Sequence, residues 1–168
     1  QAKHFVDEAK RLLVPTSAIL WADVESTDGL QRETVDARLR VFLVEVEALW
    51  GAGRVGIYTR KTFFDPYVST SSWYARFPLW TAHYFYSYWG IPDPVALDRI
   101  PEPWIPSSWR GVGWDVHQFT AKANGPAHGT QSLSVDLSRV KVVVPPGPTV
   151  EERLSRLEAV ARLHGWEV

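Results

Sequence analysis

The chain has no cysteine and no methionine. The first absence excludes disulfides and thiolate metal sites, and it fits either redox compartment. The second extends to position 1, so the sequence is expected to be a processed product, a fragment or the remnant of something longer. A basic excess is missing too. Lys+Arg total 18 against 19 Asp+Glu, a net charge of -1, which argues against nucleic acid or an anionic membrane surface as partner. No apolar run approaches the roughly 20 residues that span a bilayer, and Gln1-Ala2-Lys3-His4 does not read as a secretory signal. What the chain has in plenty is tryptophan, nine among 168 residues. Large aromatic faces fill cores and also stack on sugars, so both uses stay open. The length suffices for one domain with a sizeable core.

Ala2, Phe5, Val6, Ala9, Leu12 and Leu13 fall at helical spacing, and Pro15 is expected to end that helix. Residues 17–25 form an apolar run that turns acidic at Asp23 and Glu25. A strand covered on both faces, as in a parallel sheet, has this pattern. A polar turn with Asp28-Gly29 follows, and Asp28 reads as serving the turn. Residues 34–50 carry an apolar stripe of Val35, Leu39, Phe42, Leu43, Val46, Leu49 and Trp50, stopped by Gly51 and Gly53. Residues 54–59 read as the next strand, completing a βαβ unit with parallel pairing. Further strands are expected at 79–85 and 112–119, with short ones at 133–137 and 140–144. The connection between the first two is rich in proline and long enough to be a functional loop. Residues 120–130 read as another loop. Pro145-Pro146-Gly147-Pro148 reads as a linker to a last helix, so the chain divides into a body of 1–144 and a linker with helix of 145–168.

Asp23 and Glu25 are the residues best suited to chemistry. Side chains two apart on a strand face the same way. Both carboxylates then stand at the C-terminal end of a buried strand, where α/β folds place their sites. Like charges held close resist joint ionisation, so one of the two should keep its proton near neutral pH. Such an acid can protonate a leaving oxygen, and glycoside hydrolysis needs that donor together with a second carboxylate. The pair alone equally fits a strand end, a cap for the following turn or a weak cation site. His83 and His117 read as structural histidines, and His4, His128 and His164 belong to no motif.

The sequence around the pair resembles a known family. Trp21-Ala22-Asp23-Val24-Glu25-Ser26-Thr27-Asp28-Gly29 is similar to the D-V-E-T-x-D-G segment of the family 25 glycoside hydrolases, the lysozyme-like muramidases. Gly56-Ile57-Tyr58-Thr59 resembles the family's I-Y-T strand. Leu79-Trp80-Thr81-Ala82-His83-Tyr84 resembles its L-W-I-A-x-Y strand. Trp114 to Phe119 resembles its W-x-x-x-Q-[YF] strand, and Val135-Asp136-Leu137-Ser138 its closing V-D-L-N. Five motifs in the family's order form a specific signal.

The resemblance implies an α/β fold, an incomplete (β/α) TIM-like barrel of parallel strands with its site at their C-terminal mouth. It also implies cleavage of the β-1,4 bond between N-acetylmuramic acid and N-acetylglucosamine in peptidoglycan, at the cell wall or outside the cell, with no cofactor and no metal. Glu25 would be the general acid. Asp23 would position the substrate acetamido group or stabilise charge, and Asp136 would be a further acidic wall. Tyr58, Trp80, Tyr84 and Gln118 would line the sugar groove. Trp80 and Trp114 could equally be core residues, and Trp73, Trp89, Trp104 and Trp109 are candidates for loops over the groove.

One departure matters. The family begins with an acidic strand like D-V-S-x-x-Q and further strands that this sequence does not contain, and a closed eight-stranded barrel takes about 200 residues or more. An open parallel edge invites association. The chain is therefore expected to pair with a copy of itself, to take up a missing N-terminal segment, or to cover the edge with residues 139–168. A non-catalytic carbohydrate-binding or assembly protein is the competing reading.

Overall fold

The structure, a computed structural model, describes residues 1–84 and 100–141. The expected linker and helix of 145–168, the proline-rich stretch up to residue 99, Trp89 and most of the 140–144 strand lie outside the described residues. The elements run α1 (Ala2–Arg11), β1 (Leu20–Asp23), α2 (Arg32–Trp50), β2 (Val55–Thr59), α3 (Lys61–Tyr67), β3 (Leu79–Ala82), β4 (Val116–Asn124) and β5 (Ser134–Val140). The strands form one curled sheet in the order β1-β2-β3-β4-β5, half of a barrel. Among the described residues β1 is paired on one side only.

The pairs β1–β2, β2–β3 and β3–β4 are parallel. The expectation of parallel strands throughout is corrected at the last pair, because β5 runs antiparallel to β4. Connection length explains the difference. A parallel crossover takes a dozen or more residues, and the loop of 125–133 is shorter than that, so the chain turns back on itself. The register between β4 and β5 slips twice, between Gln118 and Thr120 and between Thr120 and Ala123. The expected loop of 120–130 is likewise corrected: β4 continues to Asn124 before a short 3-10 turn over Pro126–His128.

The helices cover one face of the sheet. Val6 and Ala9 of α1, Leu43 and Val46 of α2, Val55 and Ile57 of β2 and Leu79 of β3 are all buried in one cluster. Each fully buried aliphatic side chain of this kind contributes about 1.5–3 kcal/mol. Phe5 meets Phe42 with ring centroids 5.7 Å apart, joining α1 to α2. Leu49 departs from the expected stripe of α2 and is exposed, while Trp50 is buried and its indole donates to the Ala18 carbonyl at 3.0 Å.

Helix α1 stops before Pro15. Leu13 takes a φ of 56°, its N–H reaches the Lys10 carbonyl at 3.0 Å, and the Val14 N–H reaches the Ala9 carbonyl at 3.0 Å. This bond pattern is a Schellman cap with leucine where glycine is usual. Leu12 and Leu13 are exposed as a result.

Helix α3 has no counterpart in the sequence reading. It has seven residues with Pro66 among them, too short for a periodic stripe. Packing holds it: Phe64 lies against Tyr74 and Trp109 at 5.1 Å each, and Lys61 pairs with Asp65 at 2.8 Å. Trp109 is 1% exposed and Trp114 7%, so both are core residues.

Candidate active site

Strand β1 and the two residues after it alternate. Leu20, Ala22 and Val24 are buried towards the helices, and Trp21, Asp23 and Glu25 stand on the other face. Pairing carries on past the strand's end. The Val24 N–H donates to the Tyr58 carbonyl at 2.9 Å, and the Thr59 hydroxyl donates to the Val24 carbonyl at 2.7 Å. Val24 is thus pinned, and the acids on either side of it are held on the same face.

Register extends this face across the sheet. Asp23 is opposite Tyr58, Tyr58 opposite Trp80, Ala82 opposite Gln118, and Gln118 opposite Ser138. Asp136, two residues from Ser138, shares that side. Trp21, Asp23, Glu25, Tyr58, Trp80, Gln118 and Asp136 together line an open cavity of about 410 Å³. A smaller cavity of about 200 Å³ shares Glu25 and is lined also by Arg60, Lys61, His83, Tyr84 and Trp104. Six of the seven residues singled out in the sequence therefore meet in one cavity, and the seventh, Tyr84, stands in the neighbouring one with Glu25 between them.

The floor is aromatic. Trp80 meets Trp21 and Tyr58 edge-on, with centroids 5.6 and 5.2 Å away. Gly56 makes room for this: a Cβ there would lie 2.4 Å from Trp21 Cζ3. Trp80 Nε1 is buried without a hydrogen-bond partner among the described residues. The Tyr58 hydroxyl donates to Gln118 Oε1. Burial, then the neighbouring Tyr84 and the charges of Glu25 and Asp23, push the Tyr58 phenol above its ordinary range, so it stays neutral.

Glu25 is the titrating group that matters. Partial burial raises its pKa first, the charge of Asp23 raises it further, and Arg60 opposes both. The carboxyl holds its proton to a higher pH than a free glutamate does, which suits a proton donor.

His83 and His117 are both held in place by the fold. His117 is fully buried, its Nε2 lies 2.8 Å from the His83 carbonyl, and its Nδ1 accepts from Arg139 Nε at 3.3 Å. That pairing fixes the tautomer with hydrogen on Nε2. Burial lowers the pKa of both His117 and His83. His83 Nδ1 accepts from the Trp104 N–H at 2.9 Å, and its ring stacks on the Trp104 indole at 4.7 Å. Asp28 serves its turn, bonded to Ser26 at 2.7 Å with a φ of 50°. Among the described residues no cluster of three or more His, Asp or Glu could hold a metal ion, and no helix is long and apolar enough to cross a membrane.

Sequence reasoning gave no role to Trp21 or Arg60, and it named Trp104 as a candidate for a loop over the groove, where it now lines the cavity shared with Glu25. Trp21 had a signal, since it shares the two-residue alternation with Asp23 and Glu25. Arg60 had none, and Trp104 had only its place in a proline-rich loop. They reach the cavity through α3 and through a loop anchored by His83.

Half of a (β/α) barrel with two carboxylates at the C-terminal end of its first strand defines the class: barrel-type proteins that carry acids at a strand end. The sequence profile of the glycosyl hydrolases family 25 matches residues 1–128, and the chain belongs to that family. The fold is similar to the bacterial lysozyme from Streptomyces coelicolor, at 19% identity and a TM-score of 0.52, over 73% of this chain and 50% of that one. It is similar also to a family 25 glycosyl hydrolase from Bacillus anthracis, at 17% identity and TM-score 0.52, over 76% and 51%. A muramidase from Trichobolus zukalii gives 19% identity and TM-score 0.51, over 84% and 55%. The chain thus spans about half the length of these structures. No curated protein matches it.

Proposed function

We propose that this chain belongs to a muramidase that hydrolyses the β-1,4 bond between N-acetylmuramic acid and N-acetylglucosamine in peptidoglycan. Glu25 protonates the leaving oxygen. Asp23 stabilises charge at the reacting sugar or orients its acetamido group, and Asp136 forms the opposite acidic wall. Trp80 offers an apolar face to a pyranose ring, while Tyr58, Tyr84 and Gln118 bond sugar hydroxyls. The protein works at the cell wall, exported or delivered there by phage, and the carboxylate chemistry calls for no cofactor.

The observation that carries this reading is the shared cavity of Glu25 and Asp23, in which burial and a neighbouring charge raise the pKa of Glu25. Clearing of a cell-wall suspension tests it. The chain, supplied with any segment it needs to complete its fold, clears the suspension, and Glu25→Gln does not. Equal clearing by Glu25→Gln removes Glu25 from the acid role. Binding of wall without clearing by the intact protein favours the non-catalytic carbohydrate-binding alternative.

A further inference from the structure

The smaller cavity beside Glu25 differs in character from the larger one. Two cations, Arg60 and Lys61, line it with Tyr84, His83 and Trp104. Lys61 is already engaged. Its ammonium pairs with Asp65 at 2.8 Å and donates to the Ile105 carbonyl at 3.3 Å, bracing α3 against the 105–107 segment. Arg60 has no such role. Its backbone carbonyl starts α3 by accepting from Phe63 and Phe64. Its exposed side chain makes no hydrogen bond or ion pair with any described residue, and it stands close enough to Glu25 and Tyr84 for its charge to act on both.

The aromatic wall is similarly half used. Trp104 stacks one face on His83, is tied through its backbone to His83 Nδ1 and to the Thr81 hydroxyl, and is still 62% exposed. An indole fixed on one side and open on the other is a platform for a ring, and a guanidinium with no partner among the described residues, lining the same cavity, matches a carboxylate in shape and charge.

We propose that this cavity is a subsite for an acidic substituent of the glycan, with the Arg60 guanidinium holding a carboxylate and the open face of Trp104 carrying the sugar ring beside it. The proposal rests on the cell-wall glycan reading above. It makes Arg60 a specificity-determining residue that distinguishes carboxylated sugars from neutral ones. In the wall that carboxylate comes either from the lactyl group of a muramic acid or from the stem peptide attached to it.

Calorimetric titration of the Glu25→Gln protein, which does not consume its ligand, separates these cases. Three probes are used: a neutral N-acetylglucosamine tetramer, a peptide-free muramic acid-containing tetrasaccharide with free lactyl carboxylates, and the same tetrasaccharide with stem peptides capping the lactyl groups. At least one carboxylated probe is expected to bind about tenfold more tightly than the neutral one, the advantage of a hydrogen bond to a charged group. Adding Arg60→Gln abolishes that advantage without changing affinity for the neutral probe, Arg60→Lys restores part of it, and Trp104→Ala weakens all three. Preference for the peptide-free probe assigns the lactyl carboxylate, and preference for the capped probe assigns the peptide. Equal loss on all probes with Arg60→Gln, or no loss on any, overturns the subsite while leaving hydrolysis by the intact protein standing. Absence of binding to every probe, with no clearing of walls, overturns both.

Discussion

The side chains of Tyr58 and Gln118 meet across β3, the tyrosine hydroxyl donating to Gln118 Oε1 from two strands away. The bond fixes which end of the amide is taken. Oε1 is used, so under the proposed function the NH2 group is the part of the amide that would bond a sugar oxygen. Tyr58→Phe releases the amide. The expected result is a KM for wall fragments raised roughly fivefold, the worth of one hydrogen bond of about 1 kcal/mol, with the near-UV circular dichroism of the fold retained. An unchanged KM would remove Gln118 from ligand binding.

The pH profile of hydrolysis reads out Glu25. The donor must be protonated, so kcat/KM falls as pH rises through its pKa. Asp23→Asn removes one of the causes that raise that pKa, and the alkaline limb moves to lower pH. Arg60→Gln removes the opposing charge, and the limb moves to higher pH. A limb that stays in place in both variants shows that another group donates the proton.

Gly56→Ala tests the floor of the cavity. The new Cβ would stand 2.4 Å from Trp21 Cζ3 and 3.1 Å from the Pro78 carbonyl, so the indole must swing away. Tryptophan fluorescence shifts, sugar affinity falls, and stability drops by about 1–3 kcal/mol, as overpacking does. An unchanged emission spectrum would mean that Trp21 does not rest on Gly56.

The cap of α1 offers a gain. Leu13 holds a left-handed conformation while 86% exposed, so its side chain contributes little packing against the strain. Leu13→Gly is expected to stabilise the protein by about 1 kcal/mol, measured as a higher midpoint in urea with an unchanged slope. A lower midpoint would show that the leucine packs in a way its exposure hides.

The side of β1 that has no partner among the described residues bears on assembly. Backbone groups on an unpaired strand seek a partner. The 168-residue chain is expected to self-associate in light scattering, or to bind an added peptide that supplies the adjoining strand. A monomer at every concentration, with the amides of Leu20–Asp23 protected from exchange, would contradict both.

Much of the site was legible because the signals were local. The alternation around Val24 places Trp21, Asp23 and Glu25 on one face whatever the rest of the chain does, and the βαβ unit from β1 to β2 follows from a long apolar stripe between two strands. What was not legible depends on distant contacts. Helix α3 is held by Phe64 against Tyr74 and Trp109, and nothing in Lys61–Tyr67 announces a helix that contains a proline. Arg60 enters the site only because α3 begins there. The direction of β5 hinges on loop length, which shows only once the true end of β4 is known. The end of α1 was misread because a leucine fills the position at which glycine would have signalled the stop.

Arg139 fastens its own strand, β5, to two other stretches of chain. Its guanidinium donates to the carbonyls of Ile100 at 2.8 Å and Pro101 at 2.7 Å and to His117 Nδ1 at 3.3 Å. The strand that carries it lies past residue 128, where the family profile ends. Trimming the gene to the shared region would therefore strip Asp136 from the acidic wall and unlatch the segment leading to Trp104 in the same cut. The outermost hairpin is a clasp, and its loss would be felt at the cavities beside Glu25 before it was felt in the hydrophobic interior.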